Sequence, residues 1–327
     1  LNNMKYLITG SAGFIGFHMS KEILSNSNNF VLGIDNMNNY YDPKIKRHRL
    51  KLLSKYKNFK FKKIDIKNNK SLEKIFKKSN FDIIIHLAAQ AGVRYSFANP
   101  KTYFDTNILG FYNLLDCIRM HNKKIKHFLF ASTSSVYGDS KKFPTKENSI
   151  SDCPLSFYSA SKKSNEVMAY SFSNMYKIPI TCMRFFTVYG PYGRPDMAIY
   201  KFTNLIKSNK PIKLHNSGNH SRDFTYIDDT IKGIKVLVKH IPKGNIPFNI
   251  FNVASGNSIK LKDIVLYLQK NLNTKIKSKL ITIQKGDVLK THADISLLNK
   301  IKKNKKVIGI EEGIKKFLDW HNKYYDN

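Results

Sequence analysis

Three glycines, Gly10, Gly13 and Gly16, stand three residues apart directly after an apolar segment that begins at Lys5. This spacing is typical of a turn from a strand into a helix whose N-terminus holds the pyrophosphate of a dinucleotide. Gly10 allows the tight turn, Gly13 lets the backbone approach the phosphates, and Gly16 lets the helix pack closely on the strand. Apolar residues then recur at the spacing of a buried helix face, which an ordinary glycine-rich loop lacks. The segment therefore predicts a dinucleotide-binding strand–turn–helix unit.

The next apolar segment, from Phe30 to Asp35, predicts a second strand that ends in a carboxylate 19 residues beyond Gly16. A carboxylate at this position can accept hydrogen bonds from both hydroxyls of an adenosine ribose. No arginine follows immediately to meet a 2′-phosphate. The sequence therefore favours NAD over NADP.

Strand-like segments continue to alternate with helical ones up to about residue 184, which favours a doubly wound, parallel α/β sheet of the Rossmann type. Beyond that point the alternation loosens around the Gly- and Pro-rich residues 190–195. Because 327 residues exceed what one core comfortably fills, we expect a smaller second α/β part there. The later predicted strands are Phe59–Asp65, Ile83–Leu87, Phe128–Ser132 and Ile178–Arg184.

The net charge of +33, from 56 basic and 23 acidic residues, is a feature shared with nucleic-acid-binding proteins. The basic residues are nearly all lysines spread along the whole chain, so we expect a solvated surface and no nucleic-acid partner. No apolar run approaches a membrane span and no signal-peptide core precedes the first strand, so we expect no membrane association. Three cysteines without Cys-x-x-Cys spacing, and histidines without ligand spacing, predict a reduced, cytoplasmic protein that holds no metal.

Tyr158 and Lys162 stand four residues apart, so on a helix the phenol and the ammonium share one face. The same spacing occurs elsewhere in this lysine-rich chain, and only its context distinguishes this pair. It opens a helix after the Ser/Thr cluster that ends the strand Phe128–Ser132, at the sheet edge where doubly wound proteins bind ligands. A tyrosine with an ordinary pKa of about 10 becomes a base near neutrality when a lysine and a nicotinamide cation favour its phenolate. The pair therefore predicts proton transfer by Tyr158.

On these residues the chain resembles the extended short-chain dehydrogenase/reductase family, and within it the nucleotide-sugar epimerases, above all the UDP-glucuronate 4-epimerases. The resemblance covers residues 5 to about 295 in order. It rests on the stretches 8–16, 33–42, 86–96, 132–138, 184–197 and 222–229. It implies an NAD-dependent isomerase that takes a UDP-sugar and forms a homodimer.

The resemblance also implies a mechanism. Tyr158 takes the proton from the sugar 4-hydroxyl while C4 passes a hydride to NAD, and Thr133 hydrogen-bonds the same oxygen. Lys162 lowers the pKa of Tyr158 and holds the nicotinamide ribose. The 4-keto sugar turns over and takes the hydride back on its other face, which converts UDP-glucuronate to UDP-galacturonate and regenerates NAD.

A division into domains follows from the same resemblance. Residues 1–184 and about 223–252 are expected to form the NAD-binding Rossmann domain. Residues from about 185 to 222 and 253–327 are expected to form the nucleotide-sugar-binding domain.

The resemblance assigns two further sets of residues. The cofactor-binding set is Gly10, Gly13, Phe14, Ile15, Gly16, Asp35, Asn36, Asp65, Ile66, Leu87, Ala88, Ala89, Gln90, Asn107, Ser132, Tyr158, Lys162 and Phe185. The substrate-binding set is Arg94, Thr133, Ser134, Ser135, Thr187, Arg194, Arg222 and Asp287. Residues 284–287 depart from many relatives, which carry arginine at the first or second of these places.

Arginine is scarce, with seven positions in a chain that otherwise uses lysine. Each arginine is therefore a candidate for a position where a planar guanidinium must bind a carboxylate or a diphosphate through two hydrogen bonds. Arg94 and Arg194 could contact a uronate carboxyl or phosphates, or pair with acids such as Asp196. Arg222 resembles the family's diphosphate-binding arginine, and the alternative is a local pair with Asp223.

The turn that begins at Thr133 separates the related activities. Related 4,6-dehydratases and UDP-glucuronate decarboxylases carry an acid in this turn, whereas here Ser134 and Ser135 offer hydroxyls that can donate to a uronate. Epimerisation of UDP-glucuronate is therefore preferred. The alternatives are epimerisation of UDP-glucose or UDP-N-acetylglucosamine, decarboxylation, 4,6-dehydration, and a redox-sensing or binding protein without turnover.

Overall fold

The structure is a computed structural model that describes residues 3–282 and 288–325. Its strands are β1 (Lys5–Thr9), β2 (Phe30–Asp35), β3 (Phe59–Lys63), β4 (Ile83–His86), β5 (His127–Thr133), β6 (Ile180–Phe185), β7 (Thr187–Tyr189), β8 (Ile212–His215), β9 (Ser221–Tyr226), β10 (Phe248–Val253), β11 (Ser258–Lys260) and β12 (Ser278–Ile281). Its α-helices are α1 (Phe14–Leu24), α2 (Pro43–Leu53), α3 (Asn69–Lys78), α4 (Tyr95–Ala98), α5 (Pro100–Tyr103), α6 (Gly110–His121), α7 (Phe157–Tyr176), α8 (Ala198–Lys207), α9 (Ile227–Lys239), α10 (Leu261–Leu272), α11 (Ser296–Ile301) and α12 (Ile310–Tyr325).

Seven parallel strands form the central sheet, in the order β10-β6-β5-β4-β1-β2-β3. Strands β1 and β4 lie side by side although two strands separate them in sequence, and the chain winds outward in opposite directions from this pair. Helices α3, α6 and α7 cover one face of the sheet, and α1 and α9 cover the other. Because both faces are buried, the central strands are almost continuously apolar, as in Ile83–His86. The predicted doubly wound Rossmann fold is confirmed.

The second part of the fold contains two small sheets, one in the order β11-β9-β7 and one that pairs β12 with β8. Helices α8, α10 and α12 pack with these strands. Their apolar side chains belong to the same hydrophobic core as those of α1 and α9. Strand β10 returns to the large sheet beside β6. Strand β9 pairs with β7 and β11 and not with the large sheet.

The predicted strand positions agree with the structure to within one or two residues, and Phe30–Asp35 agrees at both ends. The strand expected from Ile178 begins instead at Ile180, because Pro179 has no N–H to donate to the ladder. The strand expected to reach Asp65 ends at Lys63. None of the helices in the described parts of the chain is long and apolar enough to cross a membrane.

Candidate active site

A cleft opens above the carboxyl ends of β1 and β4, where the winding direction of the sheet reverses. Such switch points are where open α/β sheets bind ligands. The cleft has an empty volume of about 1370 Å³, including space open to solvent. Of the predicted cofactor-binding residues, those that line it are Gly10, Gly13, Phe14, Ile15, Gly16, Asp35, Asn36, Ile66, Leu87, Ala88, Ala89, Gln90, Ser132, Tyr158, Lys162 and Phe185.

The glycine turn forms the floor of this cleft. Gly10 has a φ of +72°, and a Cβ there would stand 2.7 Å from the backbone nitrogen of Ala88. A Cβ on Gly16 would collide with the carbonyl oxygen of Gly10. Gly13 is the N-cap of α1 and provides no side chain to cap the first turn. The turn therefore leaves free N–H groups at a helix N-terminus that faces the cleft, which is a suitable arrangement for a pyrophosphate.

Asp35 ends β2 at the rim of the cleft and is only 8% exposed. Its Oδ1 accepts a hydrogen bond from the Met37 backbone N–H at 2.8 Å. Burial raises the pKa of Asp35, while the Met37 hydrogen bond and the charge of Lys46 oppose that rise. Asp65 does not line the cleft, but its Oδ2 accepts from the Asn36 side chain at 3.2 Å. Asp35 is therefore placed where it can accept hydrogen bonds from ribose hydroxyls, and Asp65 orients the Asn36 side chain.

Asn107 contributes from behind the cleft wall. It lies in a π-helical segment, Phe104–Leu109, and its side chain binds the backbone of Gln90 on both sides. Its Oδ1 accepts from the Gln90 N–H at 2.8 Å, and its Nδ2 donates to the Gln90 carbonyl at 3.0 Å. Nδ2 also donates to the Ser161 hydroxyl at 3.0 Å. Asn107 thus fixes the loop after β4 against the helix that carries Tyr158.

Tyr158 and Lys162 face the cleft from the first two turns of α7, and Thr133 faces it from the end of β5. Ser156 caps this helix through a hydrogen bond from the Ser159 N–H at 3.2 Å. Burial raises the pKa of Tyr158, whereas a hydrogen bond with Thr133 and the charge of Arg194 lower it. Lys162, which was predicted to lower the pKa of Tyr158, is not among the groups that lower it. A bound nicotinamide cation would lower that pKa.

Lys162 is 2% exposed, and no group in residues 3–282 and 288–325 accepts a hydrogen bond from its Nζ. Burial lowers its pKa to about 8, and the Cys182 thiol and the Glu166 carboxylate oppose that effect. A buried ammonium without acceptors is costly. Lys162 lines the cleft, where the hydroxyls of a ribose would provide the missing acceptors.

A buried ion pair lies under Lys162, and sequence reasoning assigned it no role. Arg184 donates to both oxygens of Glu166, at 2.9 Å from Nε and 2.7 Å from Nη2. Ser132 donates to Glu166 Oε1 at 2.5 Å. The residue four positions after Lys162 is an acid, and this spacing was the available signal. The pair holds the ends of β5 and β6 against the middle of α7, beneath the predicted catalytic residues.

Only some of the predicted substrate-binding residues line the cleft. Thr133 and Arg194 line the cleft, and Arg194 is also paired with Asp196, Nε to Oδ1 at 3.0 Å and Nη2 to Oδ2 at 2.5 Å. Thr187 lines a smaller cavity that adjoins the cleft at Arg194.

The other predicted substrate-binding residues stand outside the cleft lining. Ser134 and Ser135 lie in the turn after β5, where the Ser135 hydroxyl accepts from Thr133 at 3.2 Å. Arg94 is exposed before α4, and Arg222 donates to the carbonyls of Ser221 and Leu289. Asp287 lies outside the described residues, as does the whole segment 284–287.

The structure adds a group of cleft residues that lie outside the predicted cofactor-binding and substrate-binding sets. They come from β2 and the segment after it, from α2, from the carboxyl ends of β3, β4 and β5, from the segment Phe104–Leu109, and from the residues around β7 and before α8. The prediction of the cleft rested on the glycine turn and Asp35. The aromatic pair Tyr40 and Tyr41, in the segment after β2, was a further signal that the prediction did not use. The added residues are Ile34, Asn38, Tyr40, Tyr41, Lys46, Ile64, Ala91, Thr106, Ala131, Phe186, Val188 and Met197. In the described parts of the chain, no cluster of three or more His, Cys, Asp or Glu residues is placed to hold a metal.

The fold and this cleft define a nucleotide-sugar-modifying member of the extended short-chain dehydrogenase/reductases. Residues 7–325 match the family described as GDP-mannose 4,6 dehydratase, and the chain belongs to that family. It is 42% identical over 316 residues to a UDP-glucuronate 4-epimerase of Thermodesulfobacterium geofontis, covering 96% of this chain and 95% of the relative. It is 42% identical over 338 residues to Protein CapI of Staphylococcus aureus, covering 98% and 99%.

A solved structure extends the likeness to three dimensions. The UDP-glucuronic acid 4-epimerase of Bacillus cereus, in complex with UDP-glucuronic acid and NAD, superimposes with a TM-score of 0.91 at 32% identity. The alignment covers 98% of this chain and 100% of that one.

Proposed function

We propose that this protein is an NAD-dependent C4 epimerase that converts UDP-glucuronate to UDP-galacturonate. The observation that carries the proposal is the convergence of Tyr158, Lys162 and Thr133 on one cleft that also contains the glycine turn. The relatives named UDP-glucuronate 4-epimerase, and the B. cereus complex with UDP-glucuronic acid and NAD, support the same reaction.

The residues of the cleft fit NAD. The glycine turn and the first N–H groups of α1 would hold the pyrophosphate, and Asp35 the adenosine ribose. The Lys162 ammonium, which has no acceptor among the described residues, would hold the nicotinamide ribose. NAD bound in this way supplies the acceptor and later the donor of the C4 hydride.

The chain itself moves one proton and holds one oxygen. Tyr158 accepts the proton of the sugar 4-hydroxyl and returns it to the 4-oxygen after the sugar has turned over. Thr133 hydrogen-bonds that oxygen in both orientations and also stabilises the phenolate. Arg194 stabilises the phenolate electrostatically, and Lys162, one helical turn from Tyr158, would hold the nicotinamide ribose beside it. Because each cycle is redox-neutral, no second redox substrate is needed.

The test is to purify the protein, denature a sample, and assay the released nicotinamide. We expect bound NAD, and conversion of UDP-glucuronate without added cofactor, read by chromatography and proton NMR. Absence of bound nicotinamide together with strict dependence on added NADPH would refute the cofactor assignment. Preference for UDP-glucose over UDP-glucuronate would instead favour the alternative, a neutral UDP-sugar epimerase.

The turn after β5 favours epimerisation over decarboxylation or 4,6-dehydration. Ser134 and Ser135 occupy the places where those related enzymes carry an acid. The carboxylate beneath this turn, Glu166, is held by Arg184 and Ser132 and does not line the cleft. The turn therefore supplies no acid to drive elimination at C5 and C6, and Glu166 is engaged elsewhere.

Arg194→Lys is expected to lower kcat/KM for UDP-glucuronate by about 10- to 150-fold, because a charge-assisted hydrogen bond contributes about 1.5–3 kcal/mol. A lysine cannot both pair with Asp196 and present a second edge to a carboxylate, as the planar guanidinium can. The measurement compares UDP-glucuronate with UDP-glucose. Arg119→Lys, in a surface pair with Asp116, is the control and should change neither value. Equal losses of kcat/KM with both substrates would indicate that Arg194 binds the diphosphate that the two substrates share.

We further propose that the protein is a homodimer joined through α6 and α7. These helices pack side by side, and their outer faces carry exposed apolar side chains that a second copy of the same pair would cover. Light scattering should give twice the chain mass of 37.8 kDa, and a monomer would refute this proposal. The exposed apolar residues of these two helices are Tyr112, Met120, Phe157, Val167, Tyr170, Met175 and Tyr176.

The location in the cell and the division into domains are two further proposals. A cytoplasmic location is supported by three free cysteines, Cys117, Cys153 and Cys182, and cell fractionation would test it. The division into an NAD-binding domain, residues 1–184 and about 223–252, and a nucleotide-sugar-binding domain is supported by the separation of the large sheet from the two small sheets. Limited proteolysis with and without NAD would test that division.

A further inference from the structure

Arg49, on α2, is fully buried and is one of the largest side chains without exposed surface. Its guanidinium has four acceptors within hydrogen-bonding distance among the described residues. Nη1 donates to the Ala12 carbonyl at 2.9 Å and to the Tyr41 hydroxyl at 3.0 Å. Nη2 donates to the carbonyls of Tyr192 at 2.6 Å and Gly193 at 3.0 Å.

These four acceptors belong to three separate parts of the site. Ala12 lies inside the glycine turn, between Gly10 and Gly13. Tyr41 belongs to the segment after β2 and lines the cleft. Tyr192 and Gly193 directly precede Arg194. One side chain therefore joins the glycine turn, the segment after β2, and the loop that carries Arg194.

The chemistry of the acceptors argues against an ordinary buried ion pair. All four are neutral oxygens, and within residues 3–282 and 288–325 no salt bridge to Arg49 is formed. A buried cation held only by carbonyls and a phenol is an expensive way to stabilise packing. The fork geometry explains the choice of residue, because two nitrogens about one carbon can reach four oxygens in different segments. A lysine at this position could reach only some of them.

We propose that Arg49 is a positioning residue that sets the Arg194 loop relative to the glycine turn, so that cofactor and sugar are held in register. The part of this proposal that concerns the sugar rests on the proposed function, and the part that concerns the cofactor turn and the loop does not. Arg49 touches neither the cleft nor a ligand itself, and it acts through Ala12, Tyr41 and the two carbonyls before Arg194.

The experiment compares Arg49→Lys with Arg47→Lys, an identical change two residues away on the exposed face of the same helix. The first readout needs no substrate. Trp320, the only tryptophan, packs against Tyr192 with ring centroids 5.0 Å apart. Arg49→Lys releases the Tyr192 carbonyl, so we expect a shift in tryptophan emission with an unchanged far-ultraviolet spectrum. We also expect NAD to bind about ten-fold more weakly. Arg47→Lys should alter neither.

The second readout is a double-mutant cycle on KM for UDP-glucuronate at saturating NAD. Arg194→Lys raises KM in the native background, and in the Arg49→Lys background we expect that effect to shrink to within about two-fold, because the loop is already displaced. Effects that multiply independently would show that Arg49 does not position Arg194 and would overturn the proposal. So would an Arg49→Lys protein with native emission and native NAD affinity.

A further variant keeps the test decisive if Arg49→Lys fails to fold. Tyr41→Phe removes one of the four acceptors and leaves the guanidinium in place, so it should weaken NAD binding in the same direction by a smaller factor. Unchanged NAD affinity in Tyr41→Phe would count against the proposal. If the native protein binds NAD but does not convert UDP-glucuronate, the proposed function fails, while the emission and NAD measurements still decide the role of Arg49.

Discussion

Tyr158→Phe is expected to lower the turnover number by about 10²- to 10⁴-fold, the range that a positioned general base contributes. The change deletes one hydroxyl and keeps the ring that packs edge-on against Tyr103 at 6.0 Å. Bound NAD and the unfolding midpoint should therefore stay close to those of the native protein. The measurement is epimerisation of UDP-glucuronate, together with the nicotinamide released on denaturation.

Tyr137→Phe is the matched control, because Tyr137 is the other tyrosine close to the turn after β5. Its hydroxyl donates to Asn252 Oδ1 at 2.7 Å, away from the cleft lining, and burial raises its pKa to about 12. The turnover number of Tyr137→Phe should differ from that of the native protein by no more than a small factor. If Tyr158→Phe kept most of the activity and Tyr137→Phe did not, the base would be Tyr137 and the proposed mechanism would be wrong.

Glu166→Gln is expected to lower the free energy of unfolding by about 3–5 kcal/mol, because it leaves the Arg184 guanidinium buried without its counter-charge. Both members of this pair are nearly inaccessible, with side chains 2% and 4% exposed. Arg184 also stacks over the Tyr137 ring at 4.7 Å and donates to the Glu147 carbonyl, so it cannot move to solvent. Urea denaturation followed by circular dichroism measures the loss.

Asp116→Asn makes the same acid-to-amide change in the surface pair with Arg119, whose side chains are 25% and 34% exposed. A pair that water reaches contributes about 0–1 kcal/mol, so this variant should unfold close to the native midpoint. A stability loss for Glu166→Gln no larger than that of the control would mean that the buried pair is offset by its own desolvation, and that Ser132 and the backbone hold the three elements together.

The glycine turn, the acid at the end of β2 and the alternation of strands and helices were enough to predict the fold. Each is a local pattern with a physical requirement, such as the close approach of Gly10 to Ala88. The pair Tyr158 and Lys162 was found in the same way, from helical spacing and from its place after β5. Where β9 pairs was not predictable, because its partners β7 and β11 lie on either side of it in the chain and the pairing depends on tertiary packing.

The missed parts of the site have in common that their contacts leave no recognisable pattern in the sequence. Arg49 binds carbonyls 143 and 144 residues away, and backbone acceptors leave no mark in a sequence. Lys46 reaches the cleft by binding Asn38 at 2.8 Å, and among so many lysines nothing set it apart. The ion pair of Glu166 and Arg184 joins a helix to a strand, and only one half of it lay within a recognised motif.

The buried ammonium of Lys162 ties the stability of the empty protein to its affinity for ligand. Because folding lowers the pKa of Lys162 from 10.5 to about 8, the unfolded chain holds this proton more tightly. The resulting destabilisation grows as the pH falls from 10.5 to 8, and below that it stays at about 3 kcal/mol. A ligand that brings hydroxyl oxygens to Nζ removes part of that cost. Selection for a sturdier empty form, by replacing Lys162 with an apolar residue, would therefore act directly against retention of the cofactor.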